Sequence, residues 1–361
     1  MQLMDNTAPT ILIRADASQT IGTGHVFRCL ALADEARALG VRVIFVCQDV
    51  PGNLKCLLID RQYEAHLIPA NESWEADAQA TISIIESLRL SVMWLVVDHY
   101  LLDAKWEKAV RPFAYRLAAI DDLANRLHDV DLLVDCSHES LGASIYDGLL
   151  PASCQRAIGS AYTLLRREFF ETPRMMRARS PAKRILVTLG GNDPFNTTSM
   201  VLDALEGANF RNCSIDVTLG TSNPRLEVLK RRAEAMDNVT AYVQHSRMSE
   251  LMSAADLCVG AGGMTALERC YLGLPSLILM LADNQRELAA QLDRDGCARN
   301  LGFVGDIDAS ELRAAIVSAA EDVDWLVQSS LRGQEKVDGK GVFRILGLMN
   351  IAQSCSANGS I

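Results

Sequence analysis

Residues 10–32 read Thr-Ile-Leu-Ile-Arg-Ala-Asp-Ala-Ser-Gln-Thr-Ile-Gly-Thr-Gly-His-Val-Phe-Arg-Cys-Leu-Ala-Leu. Ile11, Leu12 and Ile13 form the short apolar run of a buried strand. A polar segment holding Gly22 and Gly24 interrupts it. Val26, Leu30 and Ala33 then recur at helical spacing until Leu39-Gly40 stops the helix. Glycines between a strand and a helix N-terminus let backbone N–H groups approach an anion, which the helix dipole also favours. His25 stands where that helix begins, a titratable group at the crevice where an α/β sheet takes its ligand. Arg28 lies one turn into the helix, placed to meet an anion or an acidic partner. The alternative is a tight strand-to-helix turn carrying an exposed histidine.

Outward from this stretch the same alternation continues. Apolar strand runs lie at 41–47, 65–68, 93–97, 116–120 and 132–134, with helical patterns at 54–61, 76–90 and 104–113 between them. Asp98-His99-Tyr100 ends the run at 93–97, on the ligand-binding edge of an open parallel sheet, and Asp121-Asp122 and Asp135 end the next two runs. Asp16, just past the first strand, either steers His25 or caps a turn. Residues 171–182 are basic, hold two prolines and lack core periodicity, so they read as a linker. A second series follows, with strands at 184–189, 214–219, 239–243, 257–259 and 276–280. Its helices fall at 197–205, 224–235, 249–254, 265–272 and 284–295. The pattern predicts an α/β protein of two Rossmann-like, doubly wound parallel-sheet domains facing across a cleft. The expected domains are 1–170 and 183–342, with 343–361 as a terminal helix and tail.

Two further glycine loops sit in the second series. Gly190-Gly191-Asn192 follows a buried strand and precedes a helix, which suits a phosphate approaching backbone amides or an ordinary turn. Gly260-Ala-Gly262-Gly263-Met-Thr265 opens another helix, with Thr265 placed to cap it and Glu268 one turn later to accept from ribose hydroxyls. Asn284 and Gln285 follow a strand and suit polar sugar groups, Asn284 serving equally well as a helix cap.

Composition limits the partners. The chain has 361 residues, enough for two cores, and a net charge of -10, which argues against a nucleic-acid backbone. No apolar run reaches the roughly 20 residues of a membrane span, and the first nine residues lack the features of a signal peptide. Ten cysteines are scattered without a CxxC pair, as expected of reduced core cysteines in a cytoplasmic protein. No ligand cluster for a metal is evident. No GxGxxG follows the first strand, which argues against a dinucleotide-dependent dehydrogenase.

The three loops, in this order, resemble the GT-B nucleotide-sugar superfamily, and more closely the PseG-type UDP-sugar hydrolases of pseudaminic acid biosynthesis. The resemblance is carried by IRADASQTIGTGHVFRCLALA (13–33), VVDHYLLDAKWE (96–107), ILVTLGGNDPFN (185–196), ADLCVGAGGMTALERCYLGLPSL (255–277) and VDGKGVFRI (337–345). It implies metal-independent, inverting hydrolysis of UDP-2,4-diacetamido-2,4,6-trideoxy-β-L-altropyranose to UDP and the free sugar, with His25 as general base and no cofactor. It implies that Glu268 binds ribose, that the loops at Gly191 and Gly262-Gly263 face the diphosphate, and that backbone around His245 meets uracil. Tyr100 and Asn284 match sugar-contacting positions, and residues 343–350 match a C-terminal helix returning to the first domain. The substrate partners are thus a UDP-sugar and water, and flagellin or surface-polysaccharide glycosylation is the expected use of the product. Two other readings compete. One is a GT-B glycosyltransferase, although MurG-like transferases carry a second glycine-rich run before the histidine and a membrane patch that this sequence lacks. The other is a non-catalytic nucleotide-sugar sensor, against which a histidine at the strand edge argues.

Overall fold

Ile11, Leu12 and Ile13 are fully buried because their strand, β1 (Thr10–Ala15), is an interior strand of a parallel sheet covered on both faces. The helix α1 (Gly24–Ala38) leads from it to β2 (Arg42–Gln48), and α2 (Lys55–Asp60) leads on to β3 (Glu64–Ile68). The chain then crosses through α3 (Trp74–Ser87) to β4 (Val92–Asp98), which pairs with the other side of β1. After α4 (Ala104–Val110) come β5 (Ala114–Ile120), β6 (Leu132–Asp135) and β7 (Gln155–Ile158). The order is β3-β2-β1-β4-β5-β6-β7, all parallel, so the topological switch point lies between β1 and β4. Ligand-binding loops of such sheets gather there, at the carboxyl ends of the strands.

The computed structural model describes residues 9–70, 73–139, 141–174, 180–245 and 247–351. They fall into two units, Met1–Arg167 with Lys340–Ile361, and Glu168–Gly339. The first unit gives way at Arg167 rather than at 170 because the short α5 (Arg167–Glu171) is held by the second: Glu168 accepts from Ser249 N at 3.3 Å, and Thr172 Oγ1 donates to Ser249 Oγ at 2.8 Å. Of the expected linker, residues 175–179 lie outside the described residues, as do 352–361 of the expected terminal helix and tail.

The second unit repeats the plan. Its elements are β8 (Arg184–Thr188), α6 (Thr197–Leu205), β9 (Ser214–Leu219), α7 (Leu226–Glu234), β10 (Val239–Val243) and α8 (Met248–Ala254). They continue with β11 (Leu257–Ala261), α9 (Thr265–Tyr271), β12 (Ser276–Met280), α10 (Arg286–Arg294), β13 (Arg299–Phe303), α11 (Ala309–Glu321) and α12 (Val323–Lys336). The sheet order is β10-β9-β8-β11-β12-β13, again all parallel, with the switch between β8 and β11. The last helix, α13 (Gly341–Leu348), belongs to the first unit. A Cβ on Gly341 would stand 2.3 Å from Thr163 O, so only glycine lets the helix start this close. Trp94 Nε1 donates to Met349 O at 3.0 Å, and Arg344 donates to Ala161 O at 2.8 Å.

Several boundaries differ from the sequence reading for local reasons. The helix expected over 104–113 stops at Val110 and continues as a single tighter turn, since Pro112 has no N–H to donate. Trp74, expected in a loop, opens α3, whose N-terminus is capped by Ser73 Oγ accepting from Ala76 N. Strands β7 and β13 carry polar residues at sheet edges, and periodicity does not reveal them. Helix α11 also went unassigned, although Asp308 and Glu311 form a capping box at its start. The nine described cysteines are unbridged, and seven are buried. Among the described residues no helix is long and apolar enough to cross a membrane.

Candidate functional site

The loop after β1 is shaped by Gly22. Its φ of +78° is a left-handed conformation that a side chain would strain, and its N–H donates to Ser18 O at 2.9 Å in a small antiparallel bridge. Ser18 Oγ accepts from Thr20 N and Ile21 N, tightening the same turn. Gly24 then starts α1, which puts His25 in its first turn, beside the end of β4.

His25 is 5% exposed, not the exposed histidine of an idle turn. Its Nδ1 lies 2.6 Å from Oδ1 of Asp98, the fully buried last residue of β4. Two lone pairs cannot face one another at that distance, so Nδ1 carries the proton and donates it to the carboxylate. The other ring nitrogen, Nε2, has no partner among the described residues and is the one left to exchange a proton with a ligand. Arg28 donates to both oxygens of Asp98, from Nε at 2.5 Å and Nη2 at 2.6 Å. Burial would raise the Asp98 carboxyl, but Arg28 and His25 outweigh it and hold that carboxyl well below the usual range. Tyr100 packs its ring edge-on to His25, centroids 4.5 Å apart, and donates from Oη to Asp122 Oδ2 at 3.1 Å. Burial and Asp122 push the Tyr100 hydroxyl well above its ordinary pKa, so it stays a donor. Arg28 also reaches Asp122 at 3.3 Å.

His25, Arg28, Asp98 and Tyr100, each singled out in the sequence, therefore meet in one cluster, and Asp122 joins them. Of the two partners open to Arg28, an anion or an acidic side chain, the structure shows acidic ones, Asp98 and Asp122. One assignment is corrected. Asp16 serves Arg14 and His99 instead of His25. It accepts from Arg14 at 2.6 and 2.9 Å, from Gln48 N at 2.7 Å, and stands 3.3 Å from His99 Nε2. Burial raises the Asp16 carboxyl, while His99 and Arg14 more than reverse that and lower it. Arg14, fully buried, also donates to Asp77 on α3, which accepts from Trp106 as well. Neither Arg14 nor Asp77 stands out in the sequence, and Asp122 is marked there only as the end of an apolar strand, the same signal that marks Asp98.

Other histidines are committed elsewhere. His99 accepts from Leu101 N at Nδ1 and faces Asp16 at Nε2. His128 pairs with Glu107 at 2.6 Å and His138 with Asp135 at 2.6 Å.

In the second unit, Gly190 takes φ +83°, and Gly191 O lies 2.2 Å from where a Cβ of Gly220 would be, so the loops after β8 and β9 touch backbone to backbone. Asp193, itself at φ +41°, accepts from Thr197 N at 2.7 Å and Thr198 N at 2.9 Å. The chain's own carboxylate thus satisfies the start of α6, and an anion at this loop is left the turn formed by Gly190, Gly191 and Asn192. Gly262 N donates to Gln285 Oε1 at 3.2 Å, and Leu281 N donates to the same oxygen at 2.9 Å. Gln285, expected to read the sugar, instead uses its carbonyl to hold the glycine loop. Gly263 completes this turn, and Thr265 does not cap α9: the preceding Met264 is the N-cap, and Thr265 Oγ1 accepts from Arg269 at 3.4 Å. Glu268 is 7% exposed on the same helix. Asn284 lies within a single turn over Asp283–Gln285 and is not the cap of α10, a place Gln285 takes. His245 stacks edge-on to Tyr242 at 5.2 Å, and its buried Nε2 has no hydrogen-bond partner among the described residues. Ser246, beside it, lies outside the described residues. Among the described residues no group of three or more His, Cys, Asp or Glu is placed to hold a metal ion.

No model of a known protein family matches the chain. Its sequence is 24% identical over 287 residues to the UDP-2,4-diacetamido-2,4,6-trideoxy-beta-L-altropyranose hydrolase of Campylobacter jejuni, covering 79% of this chain and 97% of that protein. It is 28% identical to an uncharacterized protein of Methanocaldococcus jannaschii over 77% of this chain. It is 27% identical to the spore coat polysaccharide biosynthesis protein SpsG of Bacillus subtilis over 53%. The matched region spans 57% of each of these two relatives. Among solved structures, MurG of Acinetobacter baumannii superposes with a TM-score of 0.65 at 16% identity, over 95% of this chain and 99% of that one. Arabidopsis thaliana UGT89C1, complexed with UDP-L-rhamnose, gives 0.67 at 12% identity over 97% and 100%. The chain has the GT-B fold, and its sequence resembles that of the Campylobacter jejuni hydrolase along most of its length.

Proposed function

We propose that this chain is a nucleotide-sugar hydrolase that cleaves a UDP-linked 2,4-diacetamido-2,4,6-trideoxy sugar at the anomeric C–O bond, with inversion, releasing UDP and the free sugar for nonulosonic acid biosynthesis. The observation that carries it is the His25–Asp98 pair, with His25 Nε2 unpartnered at the switch point of its sheet. In the reaction the water oxygen bonds to the anomeric carbon as its proton passes to His25 Nε2. The C–O bond to the β-phosphate breaks, and its electron pair leaves with UDP. General-base assistance of this kind contributes roughly 10²–10⁴-fold. Asp98 fixes the ring tautomer and offsets the imidazolium that forms, while Arg28 keeps Asp98 ionised. Backbone amides of the glycine loops in the second unit would meet the charge developing on UDP. None of these steps routes through a metal ion.

The resemblance to the Campylobacter jejuni hydrolase supports water as acceptor and that sugar class. A second reading, a GT-B glycosyltransferase with a non-water acceptor, is favoured by the solved neighbours, which are named as transferases. Proton NMR of the reaction in EDTA, without added acceptor, separates the two. Hydrolysis gives free sugar whose first-formed anomer is the inverted one. Release that waits for an added acceptor overturns the hydrolase reading.

A further inference from the structure

Arg269, one residue beyond Glu268, is fully buried, yet it is paired with no carboxylate among the described residues. Its hydrogen-bond acceptors are all neutral: Ser276 Oγ at 3.0 Å from Nε, Ala261 O at 2.7 Å from Nη2 and Thr265 Oγ1 at 3.4 Å from Nη1. The guanidinium therefore lies under the loop from Gly260 to Thr265, where β11 hands over to α9. A Cβ on Gly260 would stand 2.7 Å from Nη1 and 3.1 Å from Thr188 O, so glycine there makes room for the cation beside the end of β8. The charge is thus buried at the switch point between β8 and β11. The first unit's switch point is different, since there Arg14 and Arg28 are each answered by carboxylates. Burying a guanidinium is costly unless an opposite charge compensates it, and neutral hydrogen bonds alone could be met by an uncharged side chain.

We propose that Arg269 is a positioning residue for the leaving diphosphate: from beneath the glycine loop it fixes the Ala261 carbonyl and supplies the positive potential that a nucleoside diphosphate on the loop compensates. This rests on the UDP-sugar reading above. It assigns to Arg269 a preference for phosphate charge rather than for the nucleoside.

The test is calorimetric titration of the whole chain with UDP, UMP and uridine, for wild type, Arg269→Gln and Arg269→Lys. Gln keeps neutral hydrogen bonding and removes the charge. It is expected to weaken UDP about tenfold or more, UMP less, and uridine not measurably, the loss scaling with phosphate charge. Lys keeps the charge, and its UDP-to-uridine affinity ratio is expected to stay within about fivefold of wild type. Equal losses for all three ligands in Arg269→Gln, or no loss, overturn the inference and leave a purely structural arginine. If Arg269→Gln does not fold, Arg269→Lys decides, because a fall of more than about fivefold in that ratio also overturns it. Wild-type protein that binds no UDP overturns the functional reading itself, and this inference with it.

Discussion

His25 Nδ1 stands 2.6 Å from Asp98 Oδ1, joining the first turn of α1 to the last residue of β4, the strand paired with β1 across the switch point. The pairing fixes which ring nitrogen is left to act. Asp98→Asn keeps the shape but removes the charge and can turn an amide N–H towards Nδ1, so it no longer selects this tautomer. It is expected to lower kcat by roughly 10²–10⁴-fold with KM changed only a few-fold. Steady-state kinetics check this, and a variant that raises KM while keeping kcat would contradict it.

The acid limb of stability follows from the same carboxylate. Asp98 in the folded chain is held well below its ordinary 3.8, so it binds a proton more weakly than the unfolded chain does. Its contribution is full above about pH 4 and is lost as pH falls through that value towards the folded-state one. Asp16, lowered by His99 and Arg14 against its burial, acts in the same direction. Urea midpoints measured from pH 6 down to pH 3 should fall less steeply in Asp98→Asn than in wild type. Acid limbs of equal slope would contradict this.

Arg14 stands between Asp16 and Asp77 with no exposure of its own. Arg14→Met fills the space and leaves two buried carboxylates without their cation. A loss of about 3–5 kcal/mol in unfolding free energy is expected, the usual result of removing one partner from a buried pair. A loss below about 1 kcal/mol would place the charges in a wetter setting than their burial indicates.

Gln285 holds Gly262 N and Leu281 N through one oxygen. Gln285→Ala is expected to weaken UDP itself about tenfold, since the loop loses hydrogen bonds worth about 1 kcal/mol each. A side chain that only touched the sugar would leave UDP affinity unchanged, so titration with UDP alone distinguishes the two roles.

The architecture was legible because both sheets are parallel and buried on both faces, so β1, β4, β8, β11 and β12 each hold a short run of consecutive apolar residues. Edge strands β7 and β13 have no such run. The loops were legible for the same reason, each being a glycine break after such a strand. Their internal wiring was not. Asp16 and Asp98 each end or follow an apolar strand, and nothing in their spacing from His25 says which one meets it. That depends on β4 being paired with β1, which brings Asp98 to His25 across 73 residues of sequence. Gln285 likewise reads as a polar residue near a ligand until Leu281 N and Gly262 N are seen on its carbonyl. Arg269 carries no signal of its own in the sequence, and only the three-dimensional packing puts it beneath the loop.

UDP release from the UDP-linked diacetamido-trideoxy-altrose by wild type and His25→Ala, in EDTA, tests the central claim most directly. Rapid release by wild type is expected, lost by roughly 10²–10⁴-fold in His25→Ala with UDP affinity unchanged. Turnover of the variant at the wild-type rate would contradict His25 as the base, and absence of release by wild type until an acceptor is added would contradict hydrolysis.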